Sequence, residues 1–541
     1  MTWPIGLVAQ DCEPGEASIF LDGNAVTAQL NIGGDLWWDG QGKPVYYTDD
    51  HLLNGDSVSH LFTGGLWLSG VTESGNLRSA IVLYPNGNVT DFWPGPIRSD
   101  GLTDATACSD WDRFFKVNKS DVDAHLADYN ANNTINQPIG SIYTWPGRDN
   151  PYFEDYAGYS LPTEQDLAPF VDLDDDGLYD PSKGEYPDIK GDQSIWWVYN
   201  DIGNRHLESG TDPIGVEVQV LAYAKSSSDP ALDYTTFYDY KVINKWGWSS
   251  TEFYAGMFID PDLGCYLDDF IGVDSTRNMA YCYNADDQDG ITEDGACPGN
   301  TETYGEAIPI LGITLLNSSV AEPALGSCIA TKPRFSNIAS DFTIFHHNLM
   351  QGKWSNGRPL TYGGSGYNDG TNTDTVRYIF PDEPSDPSGW SACSAGIDGF
   401  DNSLVMSSGP TDLTIDQTIE LTMAAIYVPS VDYPCPSIQP LQDAHDRVAA
   451  ALPSLAYVPP EYQSELLLVP YNHTSGLYTI YTGADIAEVV VYDISGRLCL
   501  RQQVTSSEFT IDISDQPLGM YIISAVTDSD TVTASKKVIK T

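Results

Sequence analysis

VEVQVLAYAKSSSDPALDYTTFYDYKVINKWGWSSTEFYAGMFI, residues 216–259, contains three runs rich in aromatic and β-branched residues: Val216–Ala224, Thr235–Asn244 and Glu252–Ile259. Stretches of alternation within each run read as strands. Outward from this core, Ala17–Leu36, Leu61–Leu68 and Leu77–Tyr84 have the same character, bounded by glycine or Asn-Gly turns. Similar mixtures recur in Arg334–His347, Thr411–Val428 and much of the C-terminal region. Helical patterning is scarce. Lys119–Tyr129 predicts a short helix with Ser120 as N-cap and Asp123 at N3, and Leu441–Leu452 predicts another with Leu441, Ala444, Val448 and Leu452 on its apolar face. His125 and His445 are expected at the surface of these helices. The regular intervening helices that parallel crossovers need are missing. The expected fold is all-β. It comprises a β-sandwich-rich multidomain body with long acidic loops, divided into 1–210 and 211–460, and a small Ig-like β-sandwich at 465–541.

The chain has 541 residues, with 76 Asp and Glu against 25 Lys and Arg, for a formal net charge of −51. An apolar content of 41%, with 13 Trp and 32 Tyr, still specifies a packed protein and excludes a disordered acidic linker. Such a surface repels nucleic acid and anionic membranes and attracts divalent cations and basic partners. Adaptation to high salt is another source of the same composition. No apolar run reaches the length of a membrane span. The start, MTWPIGLVAQDCE, lacks the basic region and full apolar core of a secretory signal, and WPIGLVAQ is readable as the remnant of a longer apolar segment.

The acidity is locally organised. In DLDDDGLYDPSKGEYPDIKGDQSIWWVYN (172–200), Asp172, Asp174 and Asp176 alternate, Gly177 supplies a turn and Asp180 follows. Alternate carboxylates on a sharply turning segment can converge oxygen ligands on a hard cation, so calcium is the expected cofactor. Glu185 and Asp188 are further oxygen donors nearby. A second group is Asp260, Asp262, Asp268, Asp269 and Asp274, and a third, out of alternate register, is Asn284, Asp286, Asp287, Asp289 and Glu293. Each could instead be an Asx-rich turn in which carboxylates cap backbone donors.

Nine cysteines are too widely spread for a disulfide-dense scaffold and contain no CxxC pair; Cys265 with Cys282 is the expected local bridge. His346-His347 lacks a suitably spaced third metal ligand, and a strand would turn the two rings to opposite faces, so packing and hydrogen bonding are the expected role. No nucleophile elbow, HExxH motif or P-loop is present. Trp37-Trp38, Trp67, Trp93, Trp196-Trp197, Trp246 and Trp248 are expected mainly in the core or at junctions, although an exposed set could stack on glycans.

From Glu488 the chain reads EVVVYDISGRLCLRQQVTSSEFTIDISDQPLGMYIISAVTDSDTVTASKKVIKT. The strand at Val489–Tyr492, the turn at Asp493–Gly496, Ile511-Asp512-Ile513, Leu518-Gly519-Met520-Tyr521 and the terminal Lys536–Lys540 run resemble the type A C-terminal sorting domain of the Bacteroidota type IX secretion system. The resemblance covers residues 465–541. It implies a sandwich of about seven short strands, interaction with the type IX secretion machinery and an extracellular or outer cell-surface location. The body is similar to a poorly characterised group of large secreted proteins in Gly34–Asp39, Gly64–Trp67, Asp91–Pro96, Gly184–Trp197, Asp260–Gly264 and Tyr281–Asn284. No catalytic centre comes with that similarity.

The expected function is therefore a secreted, calcium-stabilised structural protein of the cell surface or extracellular space, with self-association into a filament, sheath or layer as a further step. A carbohydrate-binding adhesin recognising a surface glycan is the alternative, and a secreted hydrolase ranks third. The expectation is that the protein is not an enzyme.

Overall fold

The computed structural model describes residues 11–48, 52–53, 56–84, 89–162, 165–246, 248–292, 295–298, 302–331, 342–367 and 373–457 of the body. In the C-terminal region it describes 467–470, 477–481, 488–493, 497–503, 508–514, 516–517, 519–526 and 532–540. The first ten residues, with the apolar start, lie outside this set. Strands hold 37% of the chain and helices 14%, which makes the fold all-β.

Two nine-stranded sheets build the body. The first runs Ser18–Leu21, Val26–Asn31, Asp35–Leu36, Thr63–Thr72, Ser250–Asp260, Leu404–Leu413 and Ser327–Ala330, with Tyr46–Thr48 and Leu77–Ala80 added at its side. The second runs Phe115–Asn118, Gln193–Asn200, Val216–Ala224, Thr235–Asn244, Thr418–Val428, Ile310–Ser318, Met279–Asn284 and Asp269–Asp274, with Trp93–Pro94 paired to Gln193–Asn200. Two of the three strands read first pair directly, Val216 with Asn244 through Ala224 with Thr236. The third crosses to the other sheet. Every residue of Val216–Ala224 is buried, polar ones included. Glu217 tolerates this by accepting from the Ile97 N–H at 2.9 Å and from Gln219 Nε2 at 2.8 Å.

One hydrophobic core runs through both sheets. Trp37 ties them by donating its indole N–H to the Tyr238 hydroxyl at 2.8 Å, and its ring meets Tyr46 and Tyr238 edge-on. A Cβ on Gly64 would stand 2.5 Å from the Trp37 ring, so that position has to be glycine. Both sheets draw strands from before and after residue 210, and Gln193–Asn200 pairs with Val216–Ala224 across that point. The division expected there is replaced by a single interleaved sandwich.

Local readings change in three places. The first helix is Lys119–Asn132, capped from Asn118 and Asp121 rather than Ser120 and Asp123. Its His125 is fully buried, with Nε2 3.0 Å from the Glu185 carbonyl oxygen, and burial lowers its pKa. The second helix is Gln439–Ala451, and His445 lies on its packed side beside Leu441, Ala444 and Val448. Phe342–Met350 is a helix, not the end of a strand; a short apolar run fits both periods, and residues 332–341 lie outside the described set. Thr411–Val428 holds the end of one strand and all of the next.

The C-terminal region forms a three-stranded sheet, Leu467–Pro470, Leu477–Tyr481 and Glu508–Asp512. A four-stranded sheet joins Leu498–Gln503, Glu488–Asp493, Gly519–Val526 and Val532–Lys540. Tyr478, Val489, Val491, Ile511, Ile513, Tyr521 and Ile523 make its own core. Seven short strands match the expected small sandwich. No helix among the described residues is long and apolar enough to cross a membrane.

A buried polar hub joins the edge of the first sheet to the second. His206 is enclosed, with Nδ1 2.8 Å from the Ser79 carbonyl oxygen and Nε2 2.6 Å from that of Asp201. Carbonyl oxygens only accept, so each contact asks for a ring N–H. The buried carboxylates of Asp91 and Asp201 lie 3.7 and 3.8 Å from these nitrogens. Removing one partner from such a set strands the others. His206→Ala is expected to lower folding stability by about 3–5 kcal/mol in urea denaturation. A loss below about 1 kcal/mol would show that the hub does not depend on the ring.

Candidate metal centres

The loop after Phe170–Val171 is closed at its base by pairing with Tyr186–Pro187. Gly177, at φ 76°, turns it back so that its N–H donates to Asp172 Oδ2 at 2.7 Å. Asp172, Asp174 and Asp176 then each offer an oxygen within 4.8 Å of the other two. Lys183 Nζ donates to Asp174 Oδ2 at 2.7 Å and to Asp176 Oδ2 at 2.9 Å, a tethered cation at the mouth of the trio. Asp172 Oδ1 is shut from solvent with no hydrogen-bond partner. Asp180 is elsewhere: it caps the turn Pro181–Lys183, accepting from Ser182 N at 3.0 Å and Ser182 Oγ at 2.6 Å. That turn places Lys183.

Glu185, fully buried, is the staple of this loop. It accepts from Leu173 N at 3.3 Å and Asp180 N at 2.7 Å, one on each side of the trio. Burial pushes its carboxyl up to about 7, the two backbone donors oppose this, and the charges of Asp172 and Asp174 add to it. Asp188 is exposed and not among the grouped residues.

A second trio unites Asp260, Asp262 and Asp401 within 4.8 Å. Asp260 ends a strand of the first sheet and Asp262 begins the crossover to the second. Asp401 arrives by register: Ile259 pairs with Leu404, and continuing that antiparallel ladder sets 401 opposite 262. Tyr84 donates to Asp260 Oδ2 at 2.7 Å. Burial, then Asp260 and Asp401, drive the Asp262 carboxyl well above the usual carboxylate range. Sequence reading missed Asp401, because only the strand pairing brings it there.

The rest of the second group separates. Asp274, at the far end of Asp269–Asp274, accepts from Thr276, from Arg277 Nη1 at 3.0 Å and from Gln442 Nε2 at 2.9 Å, and does not join Asp260 and Asp262. Asp268 and Asp269 are buried instead beside the third group. Asp269 is the direct strand partner of Asn284, and the Asp268 carbonyl accepts from Ala285 N at 2.7 Å. Asp289 is buried and accepts from Cys265 N at 2.9 Å and from Tyr304 N. Asp286 touches the Asn284 amide at 3.2 Å, Asp287 is exposed, and Glu293 lies outside the described residues.

The expected Cys265–Cys282 bridge is replaced by Cys265–Cys297, with Cys12–Cys108 and Cys393–Cys435 beside it. Cys282 sits in mid-strand opposite Ile271 and buries its thiol, whereas Cys297 follows the loop that Asp289 folds back onto Cys265. Cys328 is also a buried free thiol, and Cys499 is partly exposed.

His346 and His347 are both buried on their helix. His347 pairs with Ser69 Oγ at 2.9 Å, and His346 meets Trp67 edge-on at 4.9 Å, in keeping with packing and hydrogen bonding. Trp37, Trp38, Trp67, Trp93, Trp196 and Trp197 are buried. Trp196 and Trp197 are buried together because every residue of Gln193–Asn200 is buried, whereas Trp37 and Trp38 follow the end of Asp35–Leu36, where Trp37 takes φ 73°. Trp246 donates to the Gly101 carbonyl at 2.8 Å, and Trp248, 40% exposed, stacks under the Arg78 guanidinium at 5.0 Å.

Residues 472–541 match the family described as the secretion system C-terminal sorting domain. No curated protein matches the chain. Among solved structures, a polysaccharide lyase is similar at a TM-score of 0.20 and 7% identity, covering 70% of this chain and 40% of its own. The chain thus spans two fifths of that lyase. The BSP domain of a biofilm-associated protein gives a TM-score of 0.13 at 8% identity, covering 100% of this chain and 84% of its own. Scores this low bear on neither fold nor function. The sorting domain does: the chain is a substrate of the type IX secretion system, exported to the cell surface or the extracellular space.

Proposed function

We propose that this exported protein is a non-enzymatic structural component of the cell surface or extracellular space, with a β-sandwich body stabilised by calcium. The observation that carries the reading is the pair of carboxylate trios, each gathering three oxygens within 4.8 Å. Oxygen-only donors on turning backbone suit calcium, which takes six to eight such ligands in flexible geometry. With 76 acids and 25 bases, the chain cannot neutralise such groups from its own lysines and arginines. The Asp172 trio shows the shortage in miniature, since a single Lys183 serves two carboxylates. Self-association through cation-bridged acidic surfaces extends this reading, and light scattering during a calcium titration tests it; an unchanged monomer at saturating calcium would count against it.

Calcium should raise the melting temperature of the full-length protein above its value in chelator. Binding at 100 times Kd corresponds to about 2.7 kcal/mol. Asp174→Asn with Asp176→Asn should remove part of that increment, and an equal calcium increment in the double variant would sink the loop assignment. A pH dependence follows from Glu185. Its folded pKa, about 7, lies above its unfolded value, so its contribution is most favourable below the unfolded pKa and is lost as pH rises towards 7. In chelator, Glu185→Gln should therefore fall less steeply in stability than wild type between about pH 4.5 and 7. Parallel curves would assign the pH dependence to other carboxyls.

A further inference from the structure

The two trios leave unexplained two further carboxylates and an amide that sequence distance divides and the fold reunites. Asp269 and Asn284 are the directly opposed pair that closes the strand pair Asp269–Asp274 and Met279–Asn284, and Asp268 precedes at a bend. All three side chains are nine-tenths or more buried, at 3% exposure for Asp268 and none for the other two. Each keeps one oxygen, Oδ1, with no N–H or O–H partner, and the buried Cys282 thiol meets the Asp269 carboxyl. Their other polar atoms are committed: Asp268 Oδ2 accepts from Gly290 N at 2.9 Å, Asp269 Oδ2 from Leu263 N at 2.9 Å, and Asn284 Nδ2 donates to Asp286.

Three orphaned oxygens at neighbouring buried positions are costly unless something positive meets them. No lysine or arginine pairs with Asp268 or Asp269 among the described residues, and further negative charge surrounds them. Asp289 and Asp286 act on Asp268, and Asp262 and Asp289 act on Asp269. The Cys265–Cys297 bridge fixes the covering loop, because Cys265 N donates to Asp289 and Cys297 N to the Gly290 carbonyl at 2.9 Å. This is not one of the carboxylate trios that meet within 4.8 Å; its third donor is an amide oxygen.

We propose that Asp268, Asp269 and Asn284 form a buried calcium site, distinct from both trios, beneath the Cys265–Cys297 loop. The oxygen-only donor set favours a hard divalent cation over zinc or copper. The site rests on the reading of calcium as this protein's cation, but not on the Asp172 or Asp260 groups.

Equilibrium dialysis of the full-length protein against calcium tests it. In an Asp174→Asn, Asp176→Asn, Asp401→Asn background, one ion per chain should remain, and adding Asp268→Asn should remove it. Asn284→Ala in the same background should weaken it at least tenfold without changing net charge. Equal calcium stoichiometry with and without Asp268→Asn would overturn the proposal. If the background loses ions and none remains, this inference fails while the two trios stand. An ion that persists until Asp268→Asn, after the first three changes removed nothing, upholds this site and sinks theirs. Should the added variant fail to fold, terbium alone serves as probe in the parent background. The Tyr433 hydroxyl lies 3.2 Å from Asn284 N, so bound terbium should show tyrosine-sensitised emission displaced by calcium. Its absence overturns the site.

Discussion

Scarcity of positive charge is the constraint on which this structure depends. Several carboxylates at or near the interior are received by backbone N–H groups, whereas Asp274 takes Arg277. Asp201 accepts from Ile214, Gly215 and Val216 at 2.6, 2.9 and 2.7 Å, and Asp91 accepts from Ile81, Glu208 and Ser209. Asp112 holds Glu16 and Ala17, and Glu185 holds both sides of the Asp172 trio. Hydrogen bonds to a charged acceptor contribute about 1.5–3 kcal/mol each, more than neutral ones. Asp201 and Glu185 bridge opposite sides of a loop, and Asp91 and Asp112 reach segments 117 and 96 residues away. Acidic residues thus pin connections to sheets, and the chain's composition serves its architecture.

Oxygens that this device leaves unsatisfied become informative. Asp172, Asp268 and Asp269 each accept a backbone N–H on one oxygen and keep the other without an N–H or O–H partner, and the amide oxygens of Asn284, Gln165 and Asn402 are likewise without one. Three disulfides fit the exported location and join loops, and in one case the short helix Ala105–Asp110, rather than the centres of the sheets.

Much of the fold was legible because strand alternation is a local signal. The runs at 216–259 became strands of the expected type, and the C-terminal sandwich appeared in seven strands. The Asp172 trio was legible for the same reason, with its three acids and its glycine lying within six residues of one another. Asp401 was not, because it depends on a ladder between Ser250–Asp260 and Leu404–Leu413 that no local pattern encodes. The Cys265 pairing failed similarly: nearness in sequence favoured Cys282, but strand register buried it. The boundary at 210 failed because a change of composition is visible along a chain and the interleaving of two sheets is not. His125 looked like a surface residue because a carbonyl partner from another segment leaves no trace in helical periodicity.

The interleaving also sets a timetable. Thr63–Thr72 lies near the N terminus, yet its neighbour in the first sheet is Ser250–Asp260, and that strand's other neighbour is Leu404–Leu413. A ribosome delivering the chain from its N terminus makes the early strands long before their partners exist. Until residue 413 has emerged, the middle of the first sheet has an open side, with unpaired N–H and C=O groups and bulky apolar side chains. Contacts this distant in sequence make folding slow and push it towards the end of synthesis. Truncated chains that stop short of residue 404 should therefore be sticky, because they carry the exposed edge without the strand that covers it.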